Sequence, residues 1–167
     1  SLEVTIDQGY ILSGQDSSTD PKSLMLIRTS GEYDGPTWHI STTGSDDNNG
    51  SEESPFATIQ HAVNTASNLD TIIIHDGTYY ENILWSDKAI IIIGESADGV
   101  VIDGQYEANI NANPVINFGF WNNNDGEFFA DTTKISDVTI KNGFSNSLGG
   151  GIYFGFGNLV VKNCIIK

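Results

Sequence analysis

Three groups of residues carry side chains suited to chemistry. The first is the loop from Asp46 to Glu53, where Asp46, Asp47, Asn48, Asn49, Glu52 and Glu53 offer hard oxygen donors around Gly50. Such a loop suits Ca²⁺, and Asp46, Asp47 and Asn49 are its candidate ligands. The EF-hand pattern fails, because counting Gly50 as its sixth position puts Ser45 first and Phe56 twelfth, where carboxylates belong. The plainer reading is a solvated turn whose Asp and Asn side chains cap local backbone groups. The second group is Phe120, Trp121, Asn122 and Asp125, followed by Phe128 and Phe129. Aromatic faces stack on sugar rings while amides and carboxylates bond the hydroxyls, so this segment is a candidate carbohydrate site. Alternatively, its aromatics fold back as a small satellite core. The third group is Lys141, Lys162, Asp103 and Asp137, placed outward by strand alternation, where charges are ordinarily just solvated. His39, His61 and His75 are scattered and form no nucleophile or metal pattern. They are expected to be structural, as is the single cysteine, Cys164, which has no zinc-type spacing around it.

The elements that must position these residues follow from periodicity. Phe56, Ile59, Val63 and Ala66 make one apolar stripe, predicting a helix over 55–67 with Ser54 as N-cap, Pro55 first, and Gln60, His61 and Asn64 towards water. From Thr71 onward come short runs rich in Ile and Val, split by Gly, Asn or Asp: 71–74, 81–85, 89–93, 100–102, 114–118, 134–141, 150–154 and 159–166. Separate parallel strands need long crossovers. A solenoid avoids them by using three short strands per coil with turns at the corners. Val138-Thr-Ile-Lys141-Asn142 aligns with Leu159-Val-Val-Lys162-Asn163 at a shift of 21 residues, a period that fits one coil. That register stacks Val138 and Ile140 under Leu159 and Val161, puts Lys141 about 5 Å from Lys162, and lays Asn142 under Asn163 as a step of an amide ladder.

Composition limits the partners. With 22 acidic against 7 basic residues and a net charge of −15, the chain lacks the clustered cations that bind phosphate backbones or anionic membranes. Nucleic acid is excluded as a partner, and no apolar run is long enough to insert in a membrane. An acidic surface suits a secreted protein handling neutral sugars or cations, and equally serves solubility.

The succession Gly44-Ser45-Asp46-Asp47, Asn49-Gly50, Ser54-Pro55-Phe56-Ala57-Thr58-Ile59-Gln60, Ala62-Val63, Asp76-Gly77-Thr78-Tyr79, Glu81-Asn82-Ile83, Ile93-Gly94 and Ile102-Asp103-Gly104 resembles the N-terminal cap and first coils of right-handed parallel β-helix proteins of the pectate-lyase-like superfamily. The resemblance implies an all-β solenoid over residues 41–167 with a short capping helix. Residues 1–40 resemble a blade-like repeat of bacterial extracellular β-propellers, with a Thr-x-Asp-x-Gly-Tyr-Ile-x-x-Gly turn, a strand at 24–28 and a closing Trp38. Gly149-Gly150-Gly151-Ile152 is similar to an element of autotransported surface β-helices, without that family's companion Phe-x-x-Asn element.

As to activity, the resemblance implies a choice. Lyases of the superfamily abstract a proton α to a uronate carboxylate with a Lys or Arg base beside carboxylate-bound Ca²⁺, which would give roles to Lys141, Lys162, Asp103 and Asp137. Hydrolases of similar fold need converging aspartates, and no such cluster is visible by spacing. The expectation is therefore an exported bacterial surface module, non-catalytic and carbohydrate-binding, adhesive or structural. The alternative is part of a Ca²⁺-dependent polysaccharide lyase or related glycoside hydrolase. A chain that stops at Ile165-Ile166-Lys167 in a strand is expected to meet further coils or a partner chain there.

Overall fold

Alternate burial of β-branched residues builds the protein. In Thr71–Ile74 the pattern is half-buried, buried, half-buried, buried, as a strand with one face on a core requires. The computed structural model describes residues 36–85, 88–105, 113–118, 131–146, 149–155 and 157–167, together with three short strands before them. The chain divides into units Ser1–Asp34 and Gly35–Lys167. In the first unit, β1 (Ile6–Asp7), β2 (Tyr10–Ser13) and β3 (Met25–Arg28) form an antiparallel sheet in that order.

The second unit is a parallel β-solenoid. Its first turn holds β4 (Thr37–Ile40) and the helix α1 (Ile59–Thr65). The next holds β5 (Thr71–Ile74), β6 (Gly77–Tyr79) and β7 (Ile83–Trp85). Then come β8 (Ile91–Gly94), β9 (Val100–Asp103) and β10 (Ile116–Phe118), and β11 (Thr132–Ser136), β12 (Thr139–Lys141) and β13 (Ile152–Phe154). The last are β14 (Asn158–Lys162) and β15 (Ile165–Ile166). Corresponding strands make three all-parallel sheets, β4-β5-β8-β11-β14, β6-β9-β12-β15 and β7-β10-β13. Thr37–Ile40, read from sequence as the end of the first segment, is thus the first strand of the solenoid, paired in register with Thr71–Ile74.

Inward residues form vertical columns. Ile72, Ile92 and Ile135 stack in one sheet, Tyr79, Ile102 and Ile140 in another, all buried. Each buried isoleucine contributes roughly 1.5–3 kcal/mol. In the third sheet Trp85, Phe118 and Phe154 lie in register, with ring centroids 5.3 and 4.7 Å apart. The columns run out at the last coil, where Val161 is 41% and Ile166 52% exposed.

The repeat of 21 residues is incorrect. Ile135 pairs with Val161 and Ile140 with Ile166, a step of 26 residues, so Ile140 and Val161 are not vertical neighbours. The two similar stretches lie in different sheets, since β12 carries Lys141 and β14 carries Lys162. The true equivalents are the left-handed corner residues Asp137 (φ 58°) and Asn163 (φ 52°). The Asn142 to Asn163 step also fails: Asn142 donates to Asp103 at 3.0 Å and Asn163 to Asp137 at 3.2 Å.

The helix begins later than periodicity predicts. Phe56 runs as a short parallel bridge beside Ile40, donating to His39 O and accepting from Ser41 N, both at 2.9 Å. These backbone bonds tie Phe56 to the strand edge, so Thr58, not Ser54, is the N-cap and accepts from His61 N. The apolar stripe packs as expected, with Phe56, Ile59, Val63 and Ala66 all buried over the first coil. Of the three residues assigned to water, only Asn64 is exposed. Gln60 bonds the backbone of Leu84, and the ring of His61 sits edge-on to Phe56 at 4.6 Å.

Candidate functional site

The acidic loop turns its key carboxylate inward. Asp46 Oδ1 accepts from the N–H groups of Ala57 and Thr58 at 2.9 and 3.0 Å, and Oδ2 from the Thr58 hydroxyl at 2.7 Å. Asn49 Oδ1 accepts from Ser51 N at 3.1 Å, and Asp47 is exposed with its N–H on Ser45 Oγ. Of the proposed calcium ligands, two therefore already serve the local backbone. Among the described residues, no three His, Cys, Asp or Glu side chains are grouped to hold a metal ion. Glu81 joins Asp46 at the helix start, its two oxygens accepting from Ile59 N and Gln60 N at 2.9 Å each. Desolvation raises the Glu81 carboxyl above the usual range, outweighing the two N–H bonds. Desolvation also acts on Asp46, but there the bonds from Thr58 and Ala57 prevail and the net shift is downward. At the other helix end Lys88 donates to Ala66 O at 2.6 Å.

The four candidate catalytic residues separate into two corners. Lys141 Nζ lies 3.2 Å from Asp103 Oδ2, and Asp103 also accepts from Gln105 N at 2.9 Å and from Asn142. Burial opposes ionisation of Asp103, yet these three donors hold its carboxyl below the ordinary value. Lys162 is in register with Ser136, in the neighbouring sheet, and Asp137 there accepts from Asn163. The expected Lys141 to Lys162 column is absent, because those residues occupy different sheets.

The carbohydrate candidates Phe120, Trp121, Asn122 and Asp125 lie outside the described residues, as do Phe128 and Phe129. The strand leading into that segment, β10, belongs to a sheet whose outward face carries a row missed from sequence. Leu84, Asn117 and Tyr153 are in register across β7, β10 and β13, at a spacing of about 4.8 Å per strand. Leu84 is 59% exposed and Asn117 and Tyr153 are half-buried, with Asn117 Oδ1 itself buried and without a hydrogen-bond partner among the described residues. A signal for this row exists: the triplets Ile83-Leu84-Trp85, Ile116-Asn117-Phe118 and Ile152-Tyr153-Phe154 each place one outward residue between an inward isoleucine and an inward aromatic.

Residues 42–166 match a family described as "Protein of unknown function (DUF1565)". Over 83 residues the chain is 35% identical to a Bacillus subtilis (strain 168) protein named "Uncharacterized protein YwoF", a match covering 47% of this chain and 18% of the relative. The chain therefore spans less than a fifth of that relative's length. No solved structure matches it.

Proposed function

We propose that this chain, which belongs to the DUF1565 family of proteins of unknown function, is a non-catalytic carbohydrate-binding module of an exported surface protein. The observation that carries the reading is the outward row Leu84, Asn117 and Tyr153, where an exposed apolar side chain, a half-buried amide and an aromatic ring follow one another on a rigid sheet. A sugar chain laid along it would stack on Tyr153 and pack against Leu84. Phe120, Trp121, Asn122 and Asp125, which follow β10 in the sequence, are of the residue types that stack on and bond to sugars. The exposed inner residues Val161 and Ile166 would receive further coils or a partner chain. A lyase reading needs an available base, and Lys141 is instead held by the Asp103 carboxylate.

The test is binding to an immobilised panel of neutral and uronate polysaccharides, with unsaturated product from polygalacturonate and calcium followed in parallel by ultraviolet absorbance. The expected result is retention by at least one glycan, lost in Leu84→Ala and Tyr153→Ala at unchanged melting temperature, with no product formed. Retention that survives both substitutions, or product formation lost in Lys141→Ala, would overturn the reading.

A further inference from the structure

His39, on β4, and His75, directly after β5, come from neighbouring coils on the outward side of the five-stranded sheet. Nδ1 of His39 lies 3.3 Å from Nε2 of His75, while the ring centroids are 5.5 Å apart. The two nitrogens therefore lie close to the line joining the rings, placed for one N–H to bridge them. The other nitrogen of His75, Nδ1, lies 3.5 Å from Glu95 Oε2. Glu95 comes from the next coil and is itself fixed by the N–H of Asp76 at 3.0 Å. Three coils thus contribute His39, His75 and Glu95 to one outward cluster, in which His39, whose register partner is Ile73, reaches His75 diagonally.

We propose that this cluster is a binding site for a divalent late-transition-metal ion, Cu²⁺ or Zn²⁺, held by His39 Nδ1 and His75 Nε2, with Glu95 orienting His75. Two imidazole nitrogens at 2.0–2.1 Å from one tetrahedral ion lie about 3.3 Å apart, the spacing already present. Glu95, 3.5 Å from His75 Nδ1, favours a proton on that nitrogen and so leaves the lone pair on Nε2, the outer carboxylate arrangement common to metal-binding histidines. That leaves His39 to donate through Nδ1 in the metal-free cluster. On binding, a modest rotation of both rings turns the lone pairs to one point, and the His39 proton moves through solvent from Nδ1 to Nε2, leaving both rings neutral and no net proton released. No third His, Cys, Asp or Glu among the described residues converges with them, so water completes the coordination. Both rings are part-exposed, which gives the ion access, and the net charge of −15 raises the local cation concentration. Imidazole pairs favour Cu²⁺ over Zn²⁺ in the usual order of divalent affinities.

The test is calorimetric titration of the full chain with ZnCl₂ and CuCl₂, with electron paramagnetic resonance of the copper form. One ion per chain is expected, with hyperfine splitting from two imidazole nitrogens. His39→Ala and His75→Ala should each weaken binding by about tenfold or more, and Glu95→Gln by about tenfold. His61→Ala should leave it unchanged. His75→Gln, which keeps a polar partner for His39, serves if His75→Ala does not fold, and circular dichroism of the metal-free variants reports folding. Binding that persists in the His39→Ala, His75→Ala double variant places the ion elsewhere, for instance on the 46–53 loop, and overturns the proposal. So does absence of binding, which leaves a plain N–H to N bond between two coils.

Discussion

Gln60 supplies, with one side chain, the strand that Leu84 lacks. Its Nε2 donates to Leu84 O and its Oε1 accepts from Leu84 N, both at 2.8 Å, so the amide of a helical residue reproduces the two bonds of a parallel neighbour. The helix thereby closes the first edge of the β7-β10-β13 sheet by hydrogen bonding as well as by covering its core.

Gln60→Ala removes both bonds from a partly solvated edge, and a loss of about 1–2 kcal/mol is expected. Gln60→Glu keeps the acceptor and loses the donor, and should fall between. Urea midpoints of the three proteins provide the check, and a Gln60→Ala midpoint equal to wild type would refute the role.

Glu81 and Asp46 cap the same helix start with opposite shifts, and the pH dependence separates them. Asp46 is held below its ordinary value, so its contribution is present above that value and is lost as pH falls through the lower, folded one. Glu81 is raised, so the folded state favours its protonated form. That contribution is complete below the ordinary glutamate value and is lost as pH rises through the higher, folded one. Asp46→Asn should flatten the acid side of the stability profile, below the ordinary aspartate value, and Glu81→Gln the fall above the ordinary glutamate value. Thermal melts at stepped pH measure both.

Ile140 and Ile166 pair across neighbouring coils but differ in environment, one fully buried and the other 52% exposed. Ile140→Ala should cost about 2–5 kcal/mol by opening a cavity. Ile166→Ala should cost under about 1 kcal/mol. Equal losses by chemical denaturation would mean that the last coil is covered in solution.

Gly94 marks where one coil meets the next most closely. A Cβ there would fall on the carbonyl oxygen of Asp137 and approach Val138 Cγ1 to 2.8 Å. Because the obstacle is backbone, Gly94→Ala must part the coils, with an expected cost of about 1–3 kcal/mol or more. A variant that melts with wild type would contradict this packing.

The helix stripe of Phe56, Ile59 and Val63 and the short Ile and Val runs were legible in the sequence because they are local patterns: side chains two or three to four residues apart share a face whatever surrounds them. That determined a parallel solenoid with a helix over its first coil. Coil length is different in kind. Thr71 pairs with Ile91, Ile91 with Lys134 and Lys134 with Val160, steps of 20, 43 and 26 residues. Turns and loops of unequal size set these steps, and no fixed period reveals them. The repeat of 21 failed for that reason, and with it the pairings assigned to Lys141, Lys162, Asn142 and Asn163. Only the tertiary structure decided which polar groups meet: Glu81 with Ile59 and Gln60, Asp46 with Thr58, Asp103 with Lys141, and His39 with His75. Each of these contacts joins residues remote in sequence, and its geometry depends on how many residues the intervening corners consume.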